Sequence, residues 1–118
     1  MKLRIVIVVL ALFSLSCEDV VTPSLRDKTV KLLAPANNVV SRDSVQTFYW
    51  GELEDSLRYQ LQVVSPRFDS IVRLETDTIT TRNRLTLQLR PDVYEWHVRA
   101  LNSGSASKFS NAFRLTIQ

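Results

Sequence analysis

Between Val45 and Ile117 apolar and polar residues alternate with a period of two, in short runs separated by turn formers, and no window carries an apolar stripe at helical spacing. Successive side chains of a strand point to opposite faces, so the pattern calls for strands with one buried face. The alternation predicts seven strands: Val30–Leu33, Val45–Trp50, Leu57–Val64, Ile71–Thr78, Arg84–Leu89, Val93–Leu101 and Ala112–Ile117. Seven short strands in about 90 residues read as an all-β sandwich of two sheets.

The same alternation assigns faces. Phe48, Trp50, Tyr59, Leu61, Val63, Leu85, Leu87, Leu89, Tyr94, Trp96, Val98, Ala100, Phe113, Leu115 and Ile117 face inward. Gln60, Gln62, Thr86, Gln88, Glu95, His97, Arg99, Arg114 and Thr116 face outward and are polar enough for water. Each large apolar side chain contributes about 1.5–3 kcal/mol on burial, enough in sum to offset much of the chain entropy. Disulfides are not needed, and with 1 Cys in 118 residues none can form within the chain.

The N-terminus has a different character. Lys2 and Arg4 precede the uninterrupted apolar run from Ile5 to Phe13, and Ser14, Leu15, Ser16 and Cys17 follow. This is the form of a secretion signal over residues 1–16. Taken to Leu15, the run reaches roughly 16 Å as a helix, against a bilayer core of about 30 Å, so it does not span a membrane as a stable anchor. A buried first helix or strand of the domain is the competing reading, and the lack of any polar face speaks against it. Removal of residues 1–16 discards Lys2 and Arg4, which leaves 13 Lys and Arg against 12 Asp and Glu. A mature net charge of about +1, with the basic residues scattered, excludes nucleic acid as a natural partner.

Cys17 stands at the end of the apolar segment, after Ser16 and before Glu18 and Asp19. The junction resembles a bacterial lipoprotein signal, which implies a lipidated Cys17 as the first mature residue, although Ser14 occupies the place where Leu is usual. Each buried acyl CH₂ contributes about 0.8 kcal/mol, so several chains anchor stably. The alternative is an ordinary signal peptide with an incidental thiol. The acidic pair after the cysteine resembles the surface-export signal of Bacteroidetes-type lipoproteins, which implies a location on the bacterial outer membrane, exposed at the cell surface. Residues 17–29, which mix charges with Ser, Thr and Pro23, read as a tether, and residues 30–118 as the domain.

Within the domain, Leu33-x-Pro35, Phe48-x-Trp50, Tyr59-x-Leu61-x-Val63 and Leu89-x-Pro91-x-x-Tyr94-x-Trp96-x-Val98-Arg99-Ala100 resemble the fibronectin type III domain. Leu89, Pro91 and Tyr94 are spaced like that family's tyrosine corner, which implies a Tyr94 hydroxyl bonded to nearby backbone with Trp96 and Trp50 in the core. The resemblance implies a seven-stranded, immunoglobulin-like β-sandwich and a binding, spacing or adaptor role, since the fold itself carries many functions.

The sequence assembles no catalytic or metal site. The only His, His97, is expected as a solvated strand residue, and one His with one Cys does not make a zinc site. There is no Gly-rich phosphate loop and no hydrolase motif, so neither enzyme activity nor a cofactor is expected. Glu52, Glu54 and Asp55 in the loop after the second strand read as solvated charge, because carboxylates alone do not specify a calcium site. Tyr49 on the outward face, Phe68 in a loop and Phe109 before the last strand are the aromatics left for contact with a partner, together with that acidic loop. Two functional readings follow. The first is a membrane-tethered, non-enzymatic module that binds an envelope protein or polysaccharide as an accessory subunit. The second is a purely structural spacer lipoprotein without a small-molecule or glycan ligand.

Overall fold

The computed structural model describes residues 23–118, so Cys17, the segment 1–16 and the first part of the expected tether lie outside the described residues. Eight strands follow one another: β1 (Leu32–Ala34), β2 (Val39–Ser41), β3 (Val45–Trp50), β4 (Arg58–Arg67), β5 (Ser70–Thr80), β6 (Arg84–Gln88), β7 (Asp92–Leu101) and β8 (Phe113–Ile117). They form two sheets, ordered β1-β3-β6 and β2-β8-β7-β4-β5. The all-β sandwich expected from the alternation is therefore present, with one strand more.

The extra strand is β2, which pairs in parallel with β8. Hydrogen bonds and packing together set its position: the Arg114 N–H donates to Asn37 Oδ1 (2.8 Å), the Asn38 N–H donates to the Arg114 carbonyl (2.8 Å), and Val39 packs against the core. Asn38 has a φ of 69°, a left-handed conformation that Asn tolerates better than most residues.

The core lies between the sheets and follows the expected phase. In β7, Tyr94, Trp96, Val98 and Ala100 are fully buried while the residues between them are half-buried. Phe48 of β3 meets Trp96 of β7 edge-on, with ring centres 4.9 Å apart, and Trp96 meets Phe113 of β8 in the same manner at 5.9 Å. Such edge-to-face pairs set the negative face of one ring against the positive edge of the other. Leu85, Leu87 and Phe113 pack against this core while only partly buried.

One boundary shifts. Leu25, which the composition places in the tether, is fully buried in the core together with Val30 and Leu32. The packed unit thus reaches back to Leu25, ahead of residue 30, because a single apolar residue in a polar segment found a place between the sheets.

Candidate functional site

The residues singled out above lie on the outer face of the five-stranded sheet, in the loop between β3 and β4, on the three-stranded sheet and at the tyrosine corner; the edge of β5 is a further surface.

On the outer face the rings of Phe68, His97 and Phe109 form a continuous stack. Phe68 lies 3.8 Å from His97 at 11°, and Phe109 lies 3.9 Å from its other face at 20°. The Arg99 guanidinium sits 4.6 Å above the Phe109 ring. Two serines hold the β7–β8 loop against β7 and so place Phe109: Ser107 Oγ accepts from the Ala100 N–H (2.8 Å) and Ser110 Oγ from the Val98 N–H (3.2 Å). Phe68, in the turn joining β4 to β5, is held by its own N–H, which donates to Glu95 Oε1 (3.0 Å). Glu95 also pairs with Arg114 (3.2 Å).

The expectation of a solvated His97 is corrected here. Its ring is covered on both faces, and Nε2 lies 2.7 Å from Gln62 Oε1, an acceptor, so the ring proton sits on Nε2. The hydrogen bonding continues across the strands: Gln62 and Gln60 both donate to Asp77 (3.2 and 2.8 Å), and Arg99 donates to Gln60 (2.8 Å). Burial pushes the His97 pKa down to about 4, and Arg99 acts in the same direction against the opposing pull of Glu95 and Asp77. A neutral ring with both faces occupied holds the sheet surface together and makes a poor general base at neutral pH. Phe68 and Phe109 likewise each commit a face to His97. Tyr49 is on the other sheet, in β3, where it pairs with Arg84 of β6 and keeps 37% of its surface exposed.

The β3–β4 loop is positioned from the core. The Leu53 N–H donates to the Tyr59 hydroxyl (3.0 Å), and Leu53 packs on the core cluster while Glu52, Glu54 and Asp55 point to solvent. Burial, with a smaller effect of Glu52 and Glu54, raises the Tyr59 pKa, so the hydroxyl stays protonated. Among the described residues no three His, Cys, Asp or Glu side chains come close enough together to hold a metal ion. The loop forms one wall of an open groove of about 440 Å³, which Pro23, Leu57, Arg58 and Asn102 also line.

The tyrosine corner is formed as its spacing implies. Tyr94 is fully buried, and its hydroxyl donates to the Arg90 carbonyl (2.7 Å), with Leu89 buried beside it and Pro91 at the surface. Close by, Arg73 of β5 binds Glu75 (3.0 Å) and Asp92 (3.3 Å). The Val93 N–H, followed by Ser65 and Arg73, holds the Asp92 carboxyl below its usual range against the effect of burial.

The two sheets end in four strand edges. Of the four edge strands, β1 and β2 have three residues each, β6 has five, and β5 has eleven. Ile71, Val72, Leu74 and Ile79 of β5 each leave more than half of their surface in water, Val72 80%. Natural edges are blunted by shortness, Lys, Pro or bulges. β5 contains neither Lys nor Pro, but it carries Arg73, Glu75 and Asp77 and is bulged at Val72 and Glu75 against β4, so that Thr76–Thr80 is its regular ladder, open among the described residues.

The structure is similar to the sixth fibronectin type III domain of human fibronectin type III domain containing protein 3, with 12% identity and a TM-score of 0.50, over 86% of this chain and 91% of that one. It is also similar to a PKD domain of human KIAA0319, with 15% identity and a TM-score of 0.48, over 87% and 92% of the respective chains. The described residues thus form a fibronectin type III-like β-sandwich. No protein-family profile and no curated protein matches the sequence.

Proposed function

We propose that this chain is a non-enzymatic cell-envelope lipoprotein, tethered to the bacterial outer membrane through lipid on Cys17, whose single fibronectin type III-like module binds an envelope protein or polysaccharide as an accessory subunit. The observation that carries the binding role is β5, the longest edge strand, which ends in a regular ladder at Thr76–Thr80 and bears four exposed aliphatic side chains. An extended segment of a partner gains main-chain hydrogen bonds from such an edge, and the alternate side chains supply the selectivity. Confinement to a membrane raises the effective concentration, so a modest contact suffices. The stacked aromatics shift the weight of the proposal from Phe68 and Phe109 to the β5 edge, with Tyr49 and the Glu52, Glu54, Asp55 loop as secondary surfaces.

Affinity capture of the full chain from its native envelope tests this. The wild type is compared with Val72→Lys/Ile79→Lys, with charge reversal at Glu52, Glu54 and Asp55, and with Phe68→Ala and Phe109→Ala. The β5 variant is expected to lose a co-purifying component that the others retain. An identical captured set for every variant would favour the structural spacer. Turnover of a glycan or ester by the purified protein would end the non-enzymatic reading.

A further inference from the structure

The point at which the chain enters the domain determines which end of the sandwich faces anything attached upstream. Leu25 is fully buried, its N–H donates to Ser105 Oγ (2.9 Å), and Asn102 Nδ2 donates to the Pro23 carbonyl (2.8 Å). Residues 23–25 are therefore fastened to the turn between β7 and β8. The β3–β4 loop lies at the same end, since Glu54, Asp55 and Arg58 share a groove with Pro23 and Asn102. From Arg58, β4 runs its ten residues away from this pole to the turn at Phe68 and Asp69. That separates the two ends by about 33 Å at roughly 3.3 Å per residue.

Both membrane-seeking features of the sequence, the apolar run Ile5–Phe13 and Cys17, lie upstream of Pro23. Six residues from Cys17 to Pro23 reach about 20 Å at most when fully extended. A domain standing on its opposite end would need a tether longer than its own height of about 33 Å, so that arrangement is out of reach. The near pole carries exposed Glu52, Glu54, Asp55, Ser103 and Gly104, and charged side chains do not enter the hydrocarbon layer.

Building on the tethered reading above, we propose that the domain stands on a lipid surface on the pole formed by the β3–β4 and β7–β8 loops, holds that pole at the headgroups without inserting it, and points the β4–β5 turn away from the membrane. Ile71, Val72 and Leu74, close to that turn, are then at the membrane-distal end, whereas Glu52, Glu54 and Asp55 are proximal. The orientation also restricts what closes the β5 edge. Antiparallel pairing of two β5 strands about a two-fold axis turns one copy upside down, which two copies tethered in one leaflet cannot do. A symmetric β5–β5 dimer is thereby excluded.

The test uses the full chain in envelope membranes doped with an acceptor lipid, with an azide-bearing residue at exposed Ser103 or exposed Asp69 coupled to a donor dye, and with a fatty-acid analogue supplied to report on Cys17. Ser103 is expected to be quenched at least about twofold more strongly than Asp69, as a height difference of about 33 Å requires. Equal quenching, or stronger quenching at Asp69, in labelled and membrane-bound protein would overturn the orientation and leave the tether standing. Unlabelled protein in the soluble fraction would overturn both.

Discussion

His97→Ala removes the middle ring of a three-ring stack, and the cost follows from its contacts. Two aromatic contacts at 3.8 and 3.9 Å contribute about 0.5–1.5 kcal/mol each, and the bond to Gln62 adds about 1 kcal/mol. The expected loss is about 2–4 kcal/mol, several times the roughly 0.5 kcal/mol of an uninvolved surface residue. Titration supplies an independent reading. His97 has a folded pKa of about 4 against an ordinary value of 6.5. Above pH 6.5 the ring is neutral in both states. Between pH 6.5 and 4 the unfolded chain takes up a proton that the folded chain refuses, so stability falls as pH falls through that window and His97 causes no further loss below it. At about 1.36 kcal/mol per pH unit the full effect has a ceiling of about 3 kcal/mol, and residual solvent contact reduces it to about 1–2 kcal/mol at pH 5. Urea unfolding at pH 7.5 and pH 5, followed by the fluorescence of buried Trp50 and Trp96, measures this. His97→Phe retains a stacked ring without the titration and should show little pH dependence over the same interval. A wild type with constant stability, or an equal drop in His97→Phe, would refute the reasoning.

Trp96→Ala should cost about 3–5 kcal/mol in the same unfolding assay, because a fully buried ring that touches Phe48 and Phe113 is lost. Leu25→Ala should cost about 2–5 kcal/mol if the packed unit begins there, while Ser24→Ala at the exposed neighbour stays within about 0.5 kcal/mol. Equal effects of the two would restore Val30 as the boundary. Tyr94→Phe should lose about 1–1.5 kcal/mol, since the Arg90 carbonyl gives up its 2.7 Å partner. An unchanged midpoint would show that the corner hydroxyl does not contribute to stability.

Period-two alternation was sufficient for the sandwich because every strand that buries a face announces it. The phase of β7 could be read from Tyr94, Trp96, Val98 and Ala100 alone. What escaped lies where alternation carries no information. β2 is three residues held by Asn37 and Asn38 against a strand far along the chain, and it buries too little to leave a pattern. β4 and β5 run longer than expected because their pairing continues through irregular register past Pro66. Leu25 has no apolar neighbours to mark it. The stack shows the deeper limit: alternation correctly placed His97 on the outer face, but only the folded chain brings residues 68 and 109 over it. Facing outward is not the same as facing water.

The central claim is that this fold works while held at a membrane by Cys17. Metabolic labelling of the full chain with a fatty-acid analogue, followed by fractionation, addresses it most directly, because the only other membrane-seeking segment is the apolar run read as a cleaved signal. Wild type should carry the label and sediment with the envelope, and Cys17→Ser should lose the label and be released into the soluble fraction. Equal labelling and equal sedimentation of the two would contradict the account.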